Sequence, residues 1–224
     1  MALGFVLAGS AGVTLFGAVY GSIASGTATD MGHYVDLFKL ASVSLAGHLL
    51  ALSALFGTPL AAVLFSLRKV LSRDQAENAS PNIAFYALTI FCTLIPVVAL
   101  FSASVANAGP YETPFRLHMR YYNFAFPLLL IAVAAQSWDR KKRMQLFPSI
   151  MAATPIAIAM IYAGLTKMQP YTPNLIDSPE MRGITSNHLV FHILIIVGFL
   201  SLTFWIYDNR LGEKYFCLLL LRRL

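Results

Sequence analysis

The segment His188–Tyr207 has the sequence HLVFHILIIVGFLSLTFWIY and contains no acidic residue, lysine or arginine. It has the length of about 20 residues that an α-helix needs to cross the hydrocarbon core of a bilayer. Trp205 and Tyr207 lie at its end, and such amphipathic aromatic residues are enriched at membrane interfaces. Because irregular backbone cannot face lipid, this segment predicts a membrane-spanning helix.

The composition of the whole chain agrees with this prediction. Of the 224 residues, 58% are hydrophobic and 12% are charged, and the mean hydropathy is +0.68. Ordinary soluble domains carry about 25% charged residues. The composition therefore excludes soluble enzymes and nucleic-acid-binding proteins. It indicates an integral membrane protein whose surroundings are membrane lipids, and we expect no nucleic acid partner.

Five further apolar runs precede this segment, so that the chain has six in total. The others are residues 2–24, 41–67, 83–104, 121–138 and 146–165, and Gly57-Thr-Pro59 predicts a kink in the second of the six. The predicted fold is all-α: a polytopic transmembrane helix bundle of about six spanning helices in a single integral-membrane domain, residues 1–224. A last apolar patch, Tyr215–Leu221, is too short to span. It is either an interfacial tail or part of a seventh helix, so the chain is also compatible with a fragment of, or a partner in, a larger membrane protein.

Lysine and arginine are unequally divided between the two sets of alternating loops. One set, with both termini, holds eleven of the sixteen basic residues, whereas the acidic residues divide evenly. Since basic residues concentrate in cytoplasmic loops, both termini are predicted to be cytoplasmic. Residues 25–40, 105–120 and 166–187 then lie on the other side of the membrane, which we expect to be the cytoplasmic (inner) membrane of a bacterium. Ser22-Ile-Ala24 resembles a signal-peptide cleavage site, but no charged n-region precedes it, and we expect the first helix to be retained.

The second non-cytoplasmic loop is the first candidate site. Residues 109–127 have the sequence GPYETPFRLHMRYYNFAFP. If the part after Pro114 is helical, Arg116 and Arg120 share one face and can clamp a phosphate, because the planar guanidinium donates paired hydrogen bonds. The alternative interpretation is that these are snorkelling arginines within an aromatic belt.

The same loop carries a resemblance to a known family. Arg120-Tyr121-Tyr122 followed by FPLLL at 126–130 resembles a pattern in the later part of integral-membrane glycosyltransferases of the GT-C superfamily. These enzymes move a sugar from a polyprenyl-phosphate carrier to an acceptor on the non-cytoplasmic side, and a loop arginine contacts the carrier phosphate. The resemblance, which covers about twenty residues, implies that role for Arg120, with His118, Tyr121 and Tyr122 beside it.

The chain also departs from the pattern of that superfamily. Its members usually have more helices, and they carry a catalytic acidic residue in the first external loop. Here that loop offers Asp30 and Asp36, but too few helices separate it from the arginines. We therefore favour a helix cap for Asp30 and a solvated position for Asp36.

The third non-cytoplasmic loop supplies the predicted catalytic carboxylates. Residues 167–183 contain three prolines and present Asp177, Glu180 and Arg182 from a restricted backbone. We assign Asp177 and Glu180 as catalytic, because such loops often position functional groups. The predicted substrate-binding residues are Arg116, His118, Arg120, Tyr121, Tyr122 and Arg182. The alternative is a simple connector with locally paired charges.

No metal site, cofactor or disulfide is predicted. His188 and His192 share a helix face but have no third ligand at a diagnostic spacing, so they are interpreted as interfacial. His48, inside the second run, is expected to be neutral and packed against another helix. Cys92 and Cys217 lie at different predicted depths in the membrane.

These patterns together favour a role in extracytoplasmic glycan assembly. The chain would transfer, or help to transfer, a sugar from a polyprenyl-phosphate-linked donor, either as a membrane glycosyltransferase or as a non-catalytic part of one alongside other membrane subunits. The alternative is a small-molecule or lipid transporter, or a non-catalytic membrane subunit. Transport usually needs polar residues near the bilayer midplane, and this sequence has few there.

Overall fold

The computed structural model describes residues 31–71, 79–106, 112–138, 146–174 and 176–207, and these ranges are mostly helical. A 3-10 turn, Met119–Tyr122, lies between β1 and α3. The elements in chain order are α1 (Met31–Leu71), α2 (Ala79–Val105), β1 (Arg116–Leu117), α3 (Phe126–Trp138), α4 (Leu146–Thr166), β2 (Thr172–Pro173), α5 (Pro179–Ser186) and α6 (His188–Tyr207).

Within the described ranges, four helices are long and apolar enough to cross a membrane. Large apolar side chains cover their outer faces; Leu165, for example, is 80% exposed and Phe147 is 74% exposed. Such faces are unfavourable in water but suited to lipid. The helices indicate a multi-pass membrane protein, and the all-α prediction is confirmed. Their apolar segments are Val35–Ser66, Asn82–Val105, Leu146–Thr166 and His188–Tyr207.

These four helices account for four of the six predicted spans. They contain the second, third, fifth and sixth predicted spans. The fourth, predicted at 121–138, is a helix only from Phe126, because the 3-10 turn occupies the residues before it. Its 13 residues extend over about 20 Å, which is less than the hydrocarbon thickness. The first predicted span lies outside the described residues, so six spans and cytoplasmic termini stay predictions.

Helix α1 is the centre of the bundle. It contacts α2, α3, α4 and α6. Of its most apolar stretch 61% is buried, against 28–33% for the other three long helices. Small residues allow this close packing: a Cβ at Gly57 would lie 2.9 Å from the Met160 sulfur of α4. A buried hydrogen bond of 3.0 Å from the Thr58 hydroxyl to the Ser201 hydroxyl connects α1 with α6.

The predicted kink in α1 is confirmed. Phe56 has non-helical backbone angles (φ −128°, ψ 30°), three residues before Pro59. A proline within a helix removes one backbone donor, and its ring displaces the carbonyl four residues earlier. The bend therefore lies where proline chemistry places it.

At one end of the bundle, residues 112–125, 167–174 and 176–187 form what we call the cap. Its strands pair in parallel, with Arg116 opposite Thr172 and Leu117 opposite Pro173. The chain leaves α4 through Lys167 and Met168, both at positive φ, and the Met168 amide donates to the Ala163 carbonyl at 3.1 Å. This turn ends the helix and directs the chain back across the bundle end.

Tyr171 fixes the cap to α1. Its hydroxyl donates to the carbonyl of Val43 at 2.9 Å. Its ring lies against Gly47, where a Cβ would overlap the ring atoms and would also lie 3.1 Å from the Leu117 side chain. Glycine at position 47 is thus required by close approach of the cap.

We expect Gly47→Ala to lower the midpoint of thermal unfolding in detergent. Overpacking of this kind costs about 1–3 kcal/mol, and the Tyr171 ring has little freedom to move away because its hydroxyl is bonded. The matched control is Gly198→Ala, whose Cβ meets only the flexible end of Met160, at 2.7 Å. Equal midpoints for the two variants would contradict the role given to Tyr171.

Candidate functional site

Residues from two distant loops meet in the cap. Asp177 follows β2 and precedes α5, and the backbone amide of Arg120 donates to the Asp177 carbonyl at 2.8 Å. The Ser178 hydroxyl donates to the Leu117 carbonyl. These two hydrogen bonds bring the carboxylate of Asp177 to the arginines of the other loop.

The Asp177 carboxylate is the centre of a charged cluster. Its side chain is only 2% exposed. Arg116 contacts Oδ2 through both Nε, at 2.7 Å, and Nη2. Arg120 contacts Oδ1 through Nε at 3.3 Å. Both carboxylate oxygens are therefore engaged by a guanidinium, which compensates for burial of the charge.

Arg116 is committed to structural ion pairs. Besides Asp177 it pairs with Glu112 through Nη1, and its side chain is only 14% exposed. A phosphate on Arg116 would have to displace a carboxylate. The condition under which the two arginines would share one helix face is not met, since Arg116 lies in β1 and Arg120 in the 3-10 turn. The two arginines converge on Asp177 instead.

Arg120 is the accessible cation of the cluster, with a side chain 44% exposed. Its guanidinium carbon lies 5.1 Å from the centre of the Tyr121 ring, a cation–π distance. Its Nη2 donates to the Tyr121 hydroxyl at 3.3 Å. This hydrogen bond contributes most to raising the pKa of Arg120 above its ordinary value. Arg120 is thus a permanently charged group held in orientation on two sides.

His118 lies buried behind the ion pairs. Its Nδ1 is 2.8 Å from the Ser102 hydroxyl of α2, and that hydroxyl also donates to the Val98 carbonyl. On the other side of the ring, Nε2 lies 4.0 Å from Asp177 Oδ2. Burial lowers the pKa of His118, and the Asp177 charge opposes this only in part.

The remaining predicted site residues lie in different surroundings. Tyr121 lines the exposed side beside Arg120, whereas Tyr122 is fully buried and stacks on Phe91. Glu180 and Arg182 belong to α5, but their side chains lie outside the described part of the structure. The roles assigned to all of these residues stay predictions.

Residues outside the cluster resolve several smaller expectations. Asp36 is exposed and pairs with Lys39 at 3.0 Å, in keeping with a solvated position, whereas Asp30 lies outside the described residues. His188 is exposed at the start of α6. Cys92 is a free, exposed cysteine, and Cys217 is not described. Among the described residues, no group of three or more His, Cys, Asp or Glu is placed to hold a metal ion.

Sequence reasoning missed three partners in the cluster. Glu112 was not recognised as the second carboxylate on Arg116, although its spacing of four residues was visible. The Ser102 hydroxyl hydrogen-bonds to His118, and the Ser178 hydroxyl donates to the Leu117 carbonyl. Ser178 precedes the proline that begins α5, a helix-start signal, but its hydroxyl bonds across the cap and not to its own helix.

We expect Asp177→Asn to destabilise the protein by about 3 kcal/mol, because it leaves the partly buried Arg116 with one carboxylate fewer. Thermal unfolding in detergent measures the effect. The control is Asp36→Asn, which removes an exposed ion pair and should have little effect. Similar midpoints for the two variants would show that the cluster does not stabilise the cap.

His118 makes stability depend on pH in a defined direction. Its pKa is lowered in the folded protein, so the unfolded chain binds the proton more readily. Its contribution is complete above the ordinary value of about 6.5 and is lost as the pH falls towards the folded pKa. Midpoints measured from pH 8 to pH 5 should fall more in the wild type than in His118→Asn. An equal fall in both would contradict this assignment.

Comparisons with protein-family models, with curated proteins and with solved structures find no match for this chain. The resemblance to GT-C glycosyltransferases is therefore carried by the short arginine-tyrosine motif alone. The role that this resemblance implies for Arg120 stays a prediction.

Proposed function

We propose that this chain is a six-span protein of a bacterial cytoplasmic membrane, with cytoplasmic termini, whose cap binds the phosphate of a polyprenyl-phosphate-linked sugar donor. Its role is in extracytoplasmic glycan assembly, where it transfers a sugar or helps another subunit to do so. The observation that carries the proposal is Arg120, a half-exposed guanidinium held by Asp177 and Tyr121 at the end of an apolar bundle.

The position of Arg120 suits a lipid phosphate in particular. The apolar faces of the long helices would accommodate a polyprenyl chain, while the cap lies where such a chain would carry its headgroup. Arg120 contacts Asp177 through Nε, and its side chain is 44% exposed. Its outer nitrogens can therefore donate charge-assisted hydrogen bonds to phosphate oxygens, with Nη2 shared between the phosphate and Tyr121.

In this proposal Asp177 acts by positioning Arg120. Both of its oxygens are engaged by arginines, so the carboxylate fixes the orientation of the guanidinium groups. Glu180 is then the candidate general base in the same loop. It would take the proton from an acceptor hydroxyl, whose oxygen attacks the sugar carbon while the phosphate leaves on Arg120.

Binding of a polyprenyl phosphate to the protein in nanodiscs tests the proposal. We expect Arg120→Ala to weaken binding about tenfold or more, since a hydrogen bond to a charged group contributes about 1.5–3 kcal/mol. Lys39→Ala is the control, because Lys39 is an exposed cation paired only with Asp36. The uncharged polyprenol should bind wild type and Arg120→Ala equally.

One result would argue against this function, and a second would narrow it. Equal affinity of wild type and Arg120→Ala for the phosphate would leave Arg120 as an interfacial anchor and favour the transporter or structural-subunit alternative. Binding without sugar transfer to an acceptor, by the protein alone, would restrict the chain to a non-catalytic part of the assembly.

A further inference from the structure

Three polar side chains lie fully buried beneath the cap without a hydrogen-bond partner. Ser44 and His48 belong to α1, and Tyr122 ends the 3-10 turn; each is 0% exposed. The atoms without a partner are the Ser44 hydroxyl, both imidazole nitrogens of His48 and the Tyr122 hydroxyl. Each can donate or accept a hydrogen bond, so four bonding sites are concentrated in one part of the interior.

These side chains are neighbours and not scattered examples. Ser44 and His48 are four residues apart and so lie on one face of α1. The His48 and Tyr122 rings meet edge to face, with centroids 5.5 Å apart and an interplanar angle of 68°. Phe91 and Phe126 pack against Tyr122 and enclose this polar group in an apolar wall.

A buried polar group without a partner is strongly unfavourable, and the penalty grows inside an apolar bundle. Several such groups together therefore require a ligand that bonds them at once. A charged ligand would be poorly accommodated, because Asp177 and Arg116 of the cap are already paired with each other. The ligand should be small, neutral and able both to donate and to accept.

We propose that Ser44, His48 and Tyr122 form an internal site that binds at least one water molecule between α1 and the 3-10 turn. A buried water makes about three hydrogen bonds to two to four polar partners, which is the number of groups gathered here. Ser44 and His48 lie within the apolar segment of α1, and the site does not include Arg120, so it is independent of lipid-phosphate binding. It gives the interior of the bundle a hydrated position directly below the cap.

Tyr122→Phe tests this site while it keeps the ring that packs on Phe91. If water bonds the hydroxyl, removing the hydroxyl should lower the midpoint of thermal unfolding by about 2–5 °C. If the hydroxyl has no partner, its removal should leave the midpoint unchanged or raise it. Tyr86→Phe is the matched control, because Tyr86 is 59% exposed on α2 and should be indifferent to the loss.

A second measurement does not depend on stability. Protein labelled with ¹⁵N-histidine should show a hydrogen-bonded imidazole nitrogen for His48, identified by its loss in His48→Gln, and this signal should shift in Tyr122→Phe. Either an unchanged or higher midpoint for Tyr122→Phe, or two His48 nitrogens without a hydrogen bond, would overturn the proposal. A lowered midpoint together with a hydrogen-bonded nitrogen would support it.

Discussion

The ion pairs of Asp177 stabilise the cap and leave Arg120 as its exposed guanidinium group. A carboxylate that is 2% exposed needs compensation for its lost hydration, and Arg116 and Arg120 supply it from another loop. Glu112 balances the second positive charge, so the cluster as a whole is close to neutral. The orientation of Arg120, its contact with Tyr121 and the burial of His118 all follow from this arrangement.

The cap also shows why two arginines in one loop differ in their surroundings. Arg116 lies beneath the cluster with a carboxylate on either side, and Arg120 lies at its edge with part of its guanidinium exposed. The same charge thus stabilises the fold at one position and is accessible to a ligand at the other. Two serine hydroxyls add hydrogen bonds to these ion pairs. The Ser102 hydroxyl bonds to His118, and the Ser178 hydroxyl donates to the Leu117 carbonyl.

The long helices could be predicted from the sequence because lipid leaves an apolar segment few alternatives. Residues 188–207 form a helix over the predicted range, and α2 and α4 contain the runs predicted from their hydropathy. Proline chemistry also located the bend in α1. The start of α1 at Met31, ten residues before its predicted apolar run, was not predicted, since Asp36 and Lys39 interrupt the apolar pattern there and pair with each other in the helix. The cluster was less predictable: 61 residues separate Arg116 from Asp177, and they meet only through a two-residue strand pairing that has no periodic signature.

The bend at Phe56 has a further consequence, for how α1 matches the bilayer. Its apolar segment Val35–Ser66 has 32 residues, so a straight helix of that length would extend over roughly 48 Å. A typical hydrocarbon core is about 30 Å thick, and a helix that is too long must tilt, bend or thicken the bilayer around it. With a bend near its middle, α1 can turn one half away from the membrane normal and reduce its vertical rise. The hydrophobic mismatch is then relieved within the protein, and the surrounding lipid need not deform.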